Sequence, residues 1–225
     1  MTTKAVIFDF DGTLSLPNEL PNSWRRVWAK IGKTDLDDKY YESYSKGELS
    51  YPEWTDKVIA CFIENGVNDD MLKEIALETK RIGNIEKVFK ILKDNDVEVY
   101  VLSGGIKNII NHILEDIAGC ITKIEAQEFL FDESGCLTGI TRLDHSVEFK
   151  DEFIINLMKK KGLQPEEVVF FGNGKNDETV YRSGVRTICI NPDDAHYNDR
   201  RLWSDVILST DDLFDIMPYL SLKML

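Results

Sequence analysis

The sequence predicts an α/β fold: a doubly wound parallel sheet with one all-helical segment inserted into it. Three observations carry that reading. Short, near-continuous apolar runs recur along the 225 residues, as strands covered on both faces require. Helical patterns separate those runs, which implies βαβ units. The alternation then fails once, between Leu16 and about Ile82, where no convincing strand is found.

In chain order, residues 4–9 read as the first buried strand, and the insert follows it. Trp24, Val27, Trp28 and Ile31 fall at helical spacing with Gly32 as a stop; Tyr40, Tyr41 and Tyr44 mark a second helix that Gly47 closes. Ser50-Tyr51-Pro52-Glu53 is a capping box with proline in the first turn. It opens a third helix that turns Trp54, Val58, Cys61 and Phe62 inward and ends at Gly66. Asn68 caps a fourth, where Asp69 and Asp70 suit the positive end of the helix dipole. The set Trp24, Trp28 and Trp54 is read as the insert's own core, and Arg25 and Arg26 as facing solvent. The alternating pattern resumes with a helix over 84–95 that carries Val88, Ile91 and Leu92 on one face, then a strand over 97–102 and a helix over 106–117. Residues 129–143 read as a hairpin around the Asp132–Gly135 turn. A helix over 152–161 and strands over 168–171, 187–190 and, at the edge, 206–208 complete the sheet. The expected division is a Rossmann-like core of residues 1–15 and 83–225 around a helical unit of residues 16–82.

Bulk properties exclude several function classes. The net charge of -13 repels phosphate backbones, so no nucleic-acid partner is expected. No segment approaches the roughly 20 apolar residues of a membrane span, and the N-terminus has no apolar run of signal-peptide length. Cys61, Cys120, Cys136 and Cys189 form no CxxC pair, which argues against a zinc ribbon or a disulfide framework and suits a reducing, cytoplasmic setting. His112, His145 and His196 share no metal-ligand spacing and read as structural or surface residues.

Four short pieces stand at or just beyond predicted strand ends: Asp9-Phe10-Asp11-Gly12-Thr13, Ser103-Gly104-Gly105, Lys150, and Gly172-Asn173-Gly174-Lys175-Asn176-Asp177. The carboxyl ends of strands are where open α/β sheets build their sites. Taken singly, Asp-Gly is a turn dipeptide and Ser-Gly-Gly a tight turn. Together they supply carboxylates for a hard cation, a hydroxyl and backbone amides for an anion, and a lysine for charge. The two aspartates close the most apolar strand of the chain, and buried charge is costly unless it is paired, hydrogen-bonded or bound to metal.

In order and context these four pieces resemble the motifs of the haloacid dehalogenase-like hydrolases, over nearly the whole chain. Ser-Gly-Gly, the hairpin with Gly135, Thr138 and Gly139, and the spacing from Lys150 to Asn173 resemble the phosphoserine-phosphatase-like branch, and the helical insert resembles that family's cap. The resemblance implies a Mg²⁺-dependent phosphatase of a small phosphorylated metabolite. Asp9 is then the nucleophile that forms an aspartyl-phosphate. Asp11 protonates the leaving oxygen and later takes a proton from water. The metal ligands implied are the Asp9 carboxylate, the Asp11 carbonyl and residue 173. Phosphate oxygens are held at Phe10, Asp11, Ser103, Gly104 and Lys150, with Thr13, Asn176 and Asp177 supporting them. Family members that displace halide, and the transport ATPases, lack an aspartate equivalent to Asp11, so its presence implies phosphoester chemistry.

Two features depart from the family's pattern. Residue 173 is asparagine where aspartate is usual. The glutamate and arginine with which phosphoserine phosphatases read serine fall here on Asn18, beside Glu19, and on Val58, beside Lys57. A weakened metal site and a substrate other than phosphoserine are the expectations that follow. The alternatives are phosphoserine phosphatase proper, a sugar phosphomutase, and a binding or regulatory module with impaired turnover.

Overall fold

Ala5–Phe8 (β1) has no polar side chain, and in the computed structural model all four of its residues are buried at the centre of the sheet. The structure describes residues 2–16, 19–141, 150–192, 203–204 and 206–222. After β1 come four helices, Ser23–Lys30 (α1), Thr34–Ser45 (α2), Tyr51–Glu64 (α3) and Asp69–Glu78 (α4). The core resumes with Ile85–Asp94 (α5), Glu98–Ile106 (β2), Lys107–Ile113 (α6), Lys123–Phe131 (β3) and Leu137–Thr141 (β4). Lys150–Lys161 (α7), Val168–Gly172 (β5), a 3₁₀ segment Lys175–Ser183, Arg186–Ile190 (β6) and Val206–Leu208 (β7) follow.

The seven strands lie in the order β4-β3-β2-β1-β5-β6-β7. Only the β3–β4 pair is antiparallel. Phe8 stands beside Val101 on one side and Phe171 on the other. Side chains alternate between the faces of a strand, and β1 divides accordingly. Val6 and Phe8 join the apolar layer that includes Val88, Phe89 and Leu92 of α5; Ala5 and Ile7 join the layer with Ile154, Leu157 and Met158 of α7. Phe8 is stacked between Phe89 and Phe171 at centroid distances of 5.5 and 5.2 Å. Both faces are covered, as the uninterrupted apolar runs predict.

The four expected helices of the insert form, the third and fourth with the expected caps, and the first with a cap, Asn22, that was not expected. The Asn22 side chain accepts from Arg25 N, Ser50 and Glu53 make the capping box, and Asn68 accepts from Met71 N. Their buried residues, among them Val27, Trp28, Val58, Phe62 and Leu72, are continuous with Ile109, Ile110 and Phe129 of the sheet side. Leu16 N donates to Lys80 O at 2.8 Å and Ile82 N to Leu14 O at 2.9 Å, so the segments that enter and leave the insert are hydrogen-bonded to each other.

Three elements differ from expectation. The strand expected to stop at Leu102 continues to Ile106, with an irregular register against β3 between Leu102 and Ile106. Its partner there, residues 123–127, is rich in charge and was not legible as a strand, yet Tyr100 pairs with Lys123 and Leu102 with Glu125. The helix expected over 106–117 ends at Ile113, and Glu115–Cys120 is 3₁₀. The hairpin forms, its turn tied by Asp132 Oδ1, which accepts from Ser134 N and Cys136 N at 2.9 and 3.0 Å; its expected last residues, 142 and 143, lie outside the described residues. Among the described residues no helix is long and apolar enough to cross a membrane.

Candidate active site

Asp9 directly follows β1, its N–H donating to Phe171 O at 2.8 Å, and only 3 % of it is exposed. Lys150, the first residue of α7, is equally buried. Its Nζ donates to Asp9 Oδ1 at 2.9 Å and to Asp177 Oδ1 at 2.6 Å. Asp177 spends its other oxygen on the chain itself: Oδ2 accepts from Asn173 N and Gly174 N at 2.9 and 2.8 Å. The turn after β5 is thereby fixed to the lysine, and the lysine to the strand-end aspartate.

Beyond Asp9 the chain coils tightly, Phe10 O accepting from Thr13 N, Leu14 N and Ser15 N at 3.0–3.1 Å. Gly12 takes a φ of +83°, and a Cβ there would collide with the Asn173 amide. This left-handed position and close approach require glycine, and they set Asn173 against the aspartate loop. The Phe10 side chain is wholly in the apolar core, so only its main chain is left to face a ligand. Asp11 is half-buried, with Oδ1 accepting from Ser23 N at 3.1 Å and Oδ2 from Ser23 Oγ at 2.9 Å. Ser23 Oγ in turn accepts from Ile106 N at 3.1 Å. A Cβ on Gly105 would stand 2.7 Å from both Asp11 Oδ2 and Ser23 Oγ, and Ser103 Oγ accepts from Gly105 N at 3.1 Å. Trp24 Nε1 donates to Gly104 O at 2.9 Å. The fold thus gathers Asp9, Asp11, Ser103, Lys150, Asn173 and Asp177 at one end of the sheet. Thr13 is fully buried, and its hydroxyl has no partner among the described residues. Asn176 is exposed, its side chain lying over Gly174.

Burial pushes the Asp9 pKa up to about 7; Lys150 pulls against this, while Asp177 and Asp11 add to it. Burial works to lower the Lys150 pKa, but Asp177 and Asp9 outweigh it and hold it raised. The Asp11 pKa is also raised by burial, against the two Ser23 hydrogen bonds and the charges of Arg26 and Lys150. Lys150 therefore bridges Asp9 and Asp177, while Asp11 is held by Ser23 and lies within reach of the charges of Arg26 and Lys150. The oxygens on offer are hard donors of the kind Mg²⁺ takes, so the residues fit the ion. Among the described residues no three His, Cys, Asp or Glu side chains converge for a metal; the set that the resemblance implies is instead one carboxylate, one amide and one main-chain carbonyl.

Several assignments change. Arg26 does not face solvent: it is 6 % exposed, while Arg25 is half-buried and paired with Asp37 and Asp38. Ser23, which carries both hydrogen bonds to Asp11, was not singled out from sequence. Its only signal is its place just after the Asn22 cap, which says nothing of a contact with residue 11. The three tryptophans belong to one apolar cluster, with Trp28 buried in it and Trp24 and Trp54 packed against it, but they have different neighbours. Trp24 and Trp28 pack on Phe62, and Trp24 also on Phe129 of β3, whereas Trp54 sits with Tyr41, Tyr44 and Tyr51. Val58 is buried inside the insert, and Asn18, His145 and His196 lie outside the described residues. His112 is half-buried beside Asp69 at 3.4 Å.

Comparison with known proteins places this arrangement. A family model described as haloacid dehalogenase-like hydrolase matches residues 3–180. A phosphoserine phosphatase of Wolinella succinogenes is 23% identical over 222 residues, covering 96% of this chain and 100% of that protein. Another, of Archaeoglobus fulgidus, is 25% identical over 186 residues, 81% of this chain, and the chain spans only 51% of its length. A solved structure described as a phospho-aspartyl intermediate analogue of phosphoserine phosphatase superposes with a TM-score of 0.76 at 20% identity, covering 98% of this chain and all of that one. The structural likeness speaks for the fold, and the family model spans both aspartates, Ser103, Lys150 and Asp177. The chain belongs to the haloacid dehalogenase-like hydrolases.

Proposed function

We propose that this hydrolase is a Mg²⁺-dependent phosphatase that cleaves a small phosphomonoester through an aspartyl-phosphate on Asp9. One observation carries the reading: a buried strand-end aspartate held by Lys150, with a second aspartate beside the Ser103–Gly105 segment of β2. Lys150 fixes the Asp9 carboxylate through Oδ1 and balances charge as an Asp9 oxygen bonds to phosphorus and the ester oxygen departs. Asp11 gives that departing oxygen its proton. The resulting carboxylate, steadied by Ser23, then takes a proton from the water that attacks the phosphoaspartate and regenerates Asp9. The raised Asp11 pKa favours the protonated form that the first step needs. Mg²⁺ held by Asp9, the Asp11 carbonyl and Asn173 would supply the positive charge that allows an anionic nucleophile to meet an anionic phosphoryl group. Residues 16–82 act as the cap, and residues 1–15 and 83–225 as the catalytic core. The mutual hydrogen bonding of the two connecting segments supports that division.

The names of the curated relatives favour a second reading, phosphoserine as the substrate; buried Val58 in place of a substrate-reading arginine speaks against it. The test is inorganic phosphate release with Mg²⁺ across a panel of phosphorylated metabolites that includes phosphoserine. Stoichiometric release from a non-amino-acid ester, with phosphoserine the poorer competitor in kcat/KM, is expected. A clear preference for phosphoserine selects the second reading. Trace release alongside phosphoryl transfer to a sugar phosphate would make the protein a mutase, and no metal-dependent turnover at all would make it a binding module.

Asn173 yields a separate prediction. Replacing its neutral amide with a carboxylate adds a negative charge where Mg²⁺ is to bind through hard oxygens. Asn173→Asp is expected to lower the Mg²⁺ concentration for half-maximal activity about tenfold, roughly 1.4 kcal/mol. An unchanged or higher midpoint would remove residue 173 from the ligand set.

A further inference from the structure

Ser23 opens α1, is buried at 1 % exposure, and joins three separate stretches of chain. Its N–H donates to Asp11 Oδ1 at 3.1 Å and its hydroxyl to Asp11 Oδ2 at 2.9 Å, while its Oγ accepts from Ile106 N at 3.1 Å. A serine hydroxyl has one hydrogen to give. With the Ile106 N–H on one of its acceptor positions, that hydrogen is directed to Asp11. The main-chain donor is free for the same purpose. The first N–H groups of a helix have no partner within it, and the Asn22 cap serves Arg25 N instead.

Among the described residues Ser23 alone hydrogen-bonds the Asp11 side chain. Two hydrogen bonds to the two oxygens of one carboxyl group fix its plane as well as its place, because turning the group breaks both. The acid hydrogen of Asp11 then has to sit on a lone pair that Ser23 leaves open. The next residue of α1 is anchored to the same part of β2, Trp24 Nε1 donating to Gly104 O at 2.9 Å. We infer that Ser23 is a positioning residue for the general acid: it aims the Asp11 carboxyl at the departing ester oxygen and makes acid catalysis depend on the seating of α1 against β2. The inference rests on the phosphatase reading and deepens it. In the first chemical step an Asp9 carboxylate oxygen bonds to phosphorus. The bond from phosphorus to the ester oxygen breaks with its electron pair left on that oxygen, which takes the Asp11 proton. A misaimed carboxyl fails only in the proton transfer, so the loss should fall on esters whose oxygen must be protonated as it leaves.

Two esters of similar size separate aim from structure. Benzyl phosphate releases an alkoxide that needs a proton as it departs, whereas para-nitrophenyl phosphate releases a phenolate that is stable without one. The readout is the ratio of kcat/KM for benzyl phosphate to that for para-nitrophenyl phosphate with saturating Mg²⁺, for wild type, Ser23→Ala, Ser23→Cys and Trp24→Phe. Because kcat/KM covers the steps up to departure of the leaving group, later hydrolysis of the phosphoaspartate does not enter. Ser23→Ala removes the hydroxyl and is expected to lower the ratio at least about tenfold, the effect of one lost hydrogen bond to a charged group. Ser23→Cys keeps nearly the same shape with a weak S–H donor. It is expected to fall between, and it decides the question if Ser23→Ala does not fold. Trp24→Phe removes the hydrogen bond to Gly104 O and none to Asp11, and is expected to lower both esters alike with the ratio unchanged. An unchanged ratio in the Ser23 variants, whatever their melting temperature, makes Ser23 structural and overturns the inference. A fall in the ratio as large in Trp24→Phe as in Ser23→Ala overturns it too. Wild type that turns over neither ester overturns the phosphatase reading itself, and the inference with it.

Discussion

Asp9→Asn is expected to lower turnover by about a thousandfold or more, roughly 4 kcal/mol in the barrier, and to abolish any phosphorylated intermediate. The substitution keeps the shape of the side chain while removing the nucleophilic oxygen, so the covalent route is lost and not merely slowed. Folding should survive. The Asp9 carboxyl already resists ionisation, its pKa pushed up to about 7 chiefly by burial, and a neutral amide removes a charge the interior disfavours. The checks are steady-state phosphate release, mass spectrometry of acid-quenched protein, and a melting curve. An unchanged melting curve with activity lost ties the defect to chemistry. Retention of more than about a tenth of wild-type turnover would rule out an aspartyl-phosphate on Asp9.

Lys150→Met is expected to damage both activity and stability. Lys150 is 2 % exposed and bridges Asp9 and Asp177; without it two buried carboxylates lose their shared cation, and Asp177 keeps only its two main-chain hydrogen bonds. Removing one partner of such a network costs about 3–5 kcal/mol, and loss of the charge that balances the reacting phosphoryl group should cost a further two or more powers of ten in kcat. The stability loss should depend on pH. A carboxyl whose folded pKa exceeds its unfolded value of about 3.9 contributes stability as the bound proton. That contribution is complete at low pH and is lost as pH rises through the folded pKa. In the metal-free wild type the window runs from about 4 to the Asp9 value of about 7. In Lys150→Met the folded pKa of Asp9 moves higher still, so the deficit in melting temperature relative to wild type should widen as pH rises above 7. A deficit independent of pH would mean that Lys150 acts through packing and not through charge.

The parts of this protein that were legible in its sequence are those set by local chemistry. Ala5–Phe8 has no polar residue and had to be buried; Asp9 and Asp11 at its end had to be compensated; Ser50-Tyr51-Pro52-Glu53 had to begin a helix. What stayed illegible depends on contacts distant in the chain. Residues 123–127 become a strand because β2 pairs with them, although Lys123, Glu125 and Gln127 interrupt their apolar pattern. Ser103–Gly105, which taken singly reads as a tight turn, is extended within β2 at the point where its register against β3 is irregular. Arg26 reads as a surface residue beside Arg25, and only the packing of α1 near α4 buries it. Ser23 reaches Asp11 because the connection after β1 brings α1 back over the strand end, a path that helical periodicity cannot reveal.

The central place of β1 has a consequence for how the protein is made. Of the seven strands it leaves the ribosome first, yet Ala5 must pair with Glu98 on one side and Val168 on the other. At about 5–20 residues per second, its second partner arrives on the order of ten seconds later. Until then an apolar strand with two open edges depends on the nascent chain, or on a chaperone, to stay out of aggregates. The active site inherits the delay. Asp9 is synthesised well before Lys150 and Asp177, which fix it. Prematurely terminated chains that lack α7 will therefore carry the nucleophile without its support, as inert and poorly soluble products.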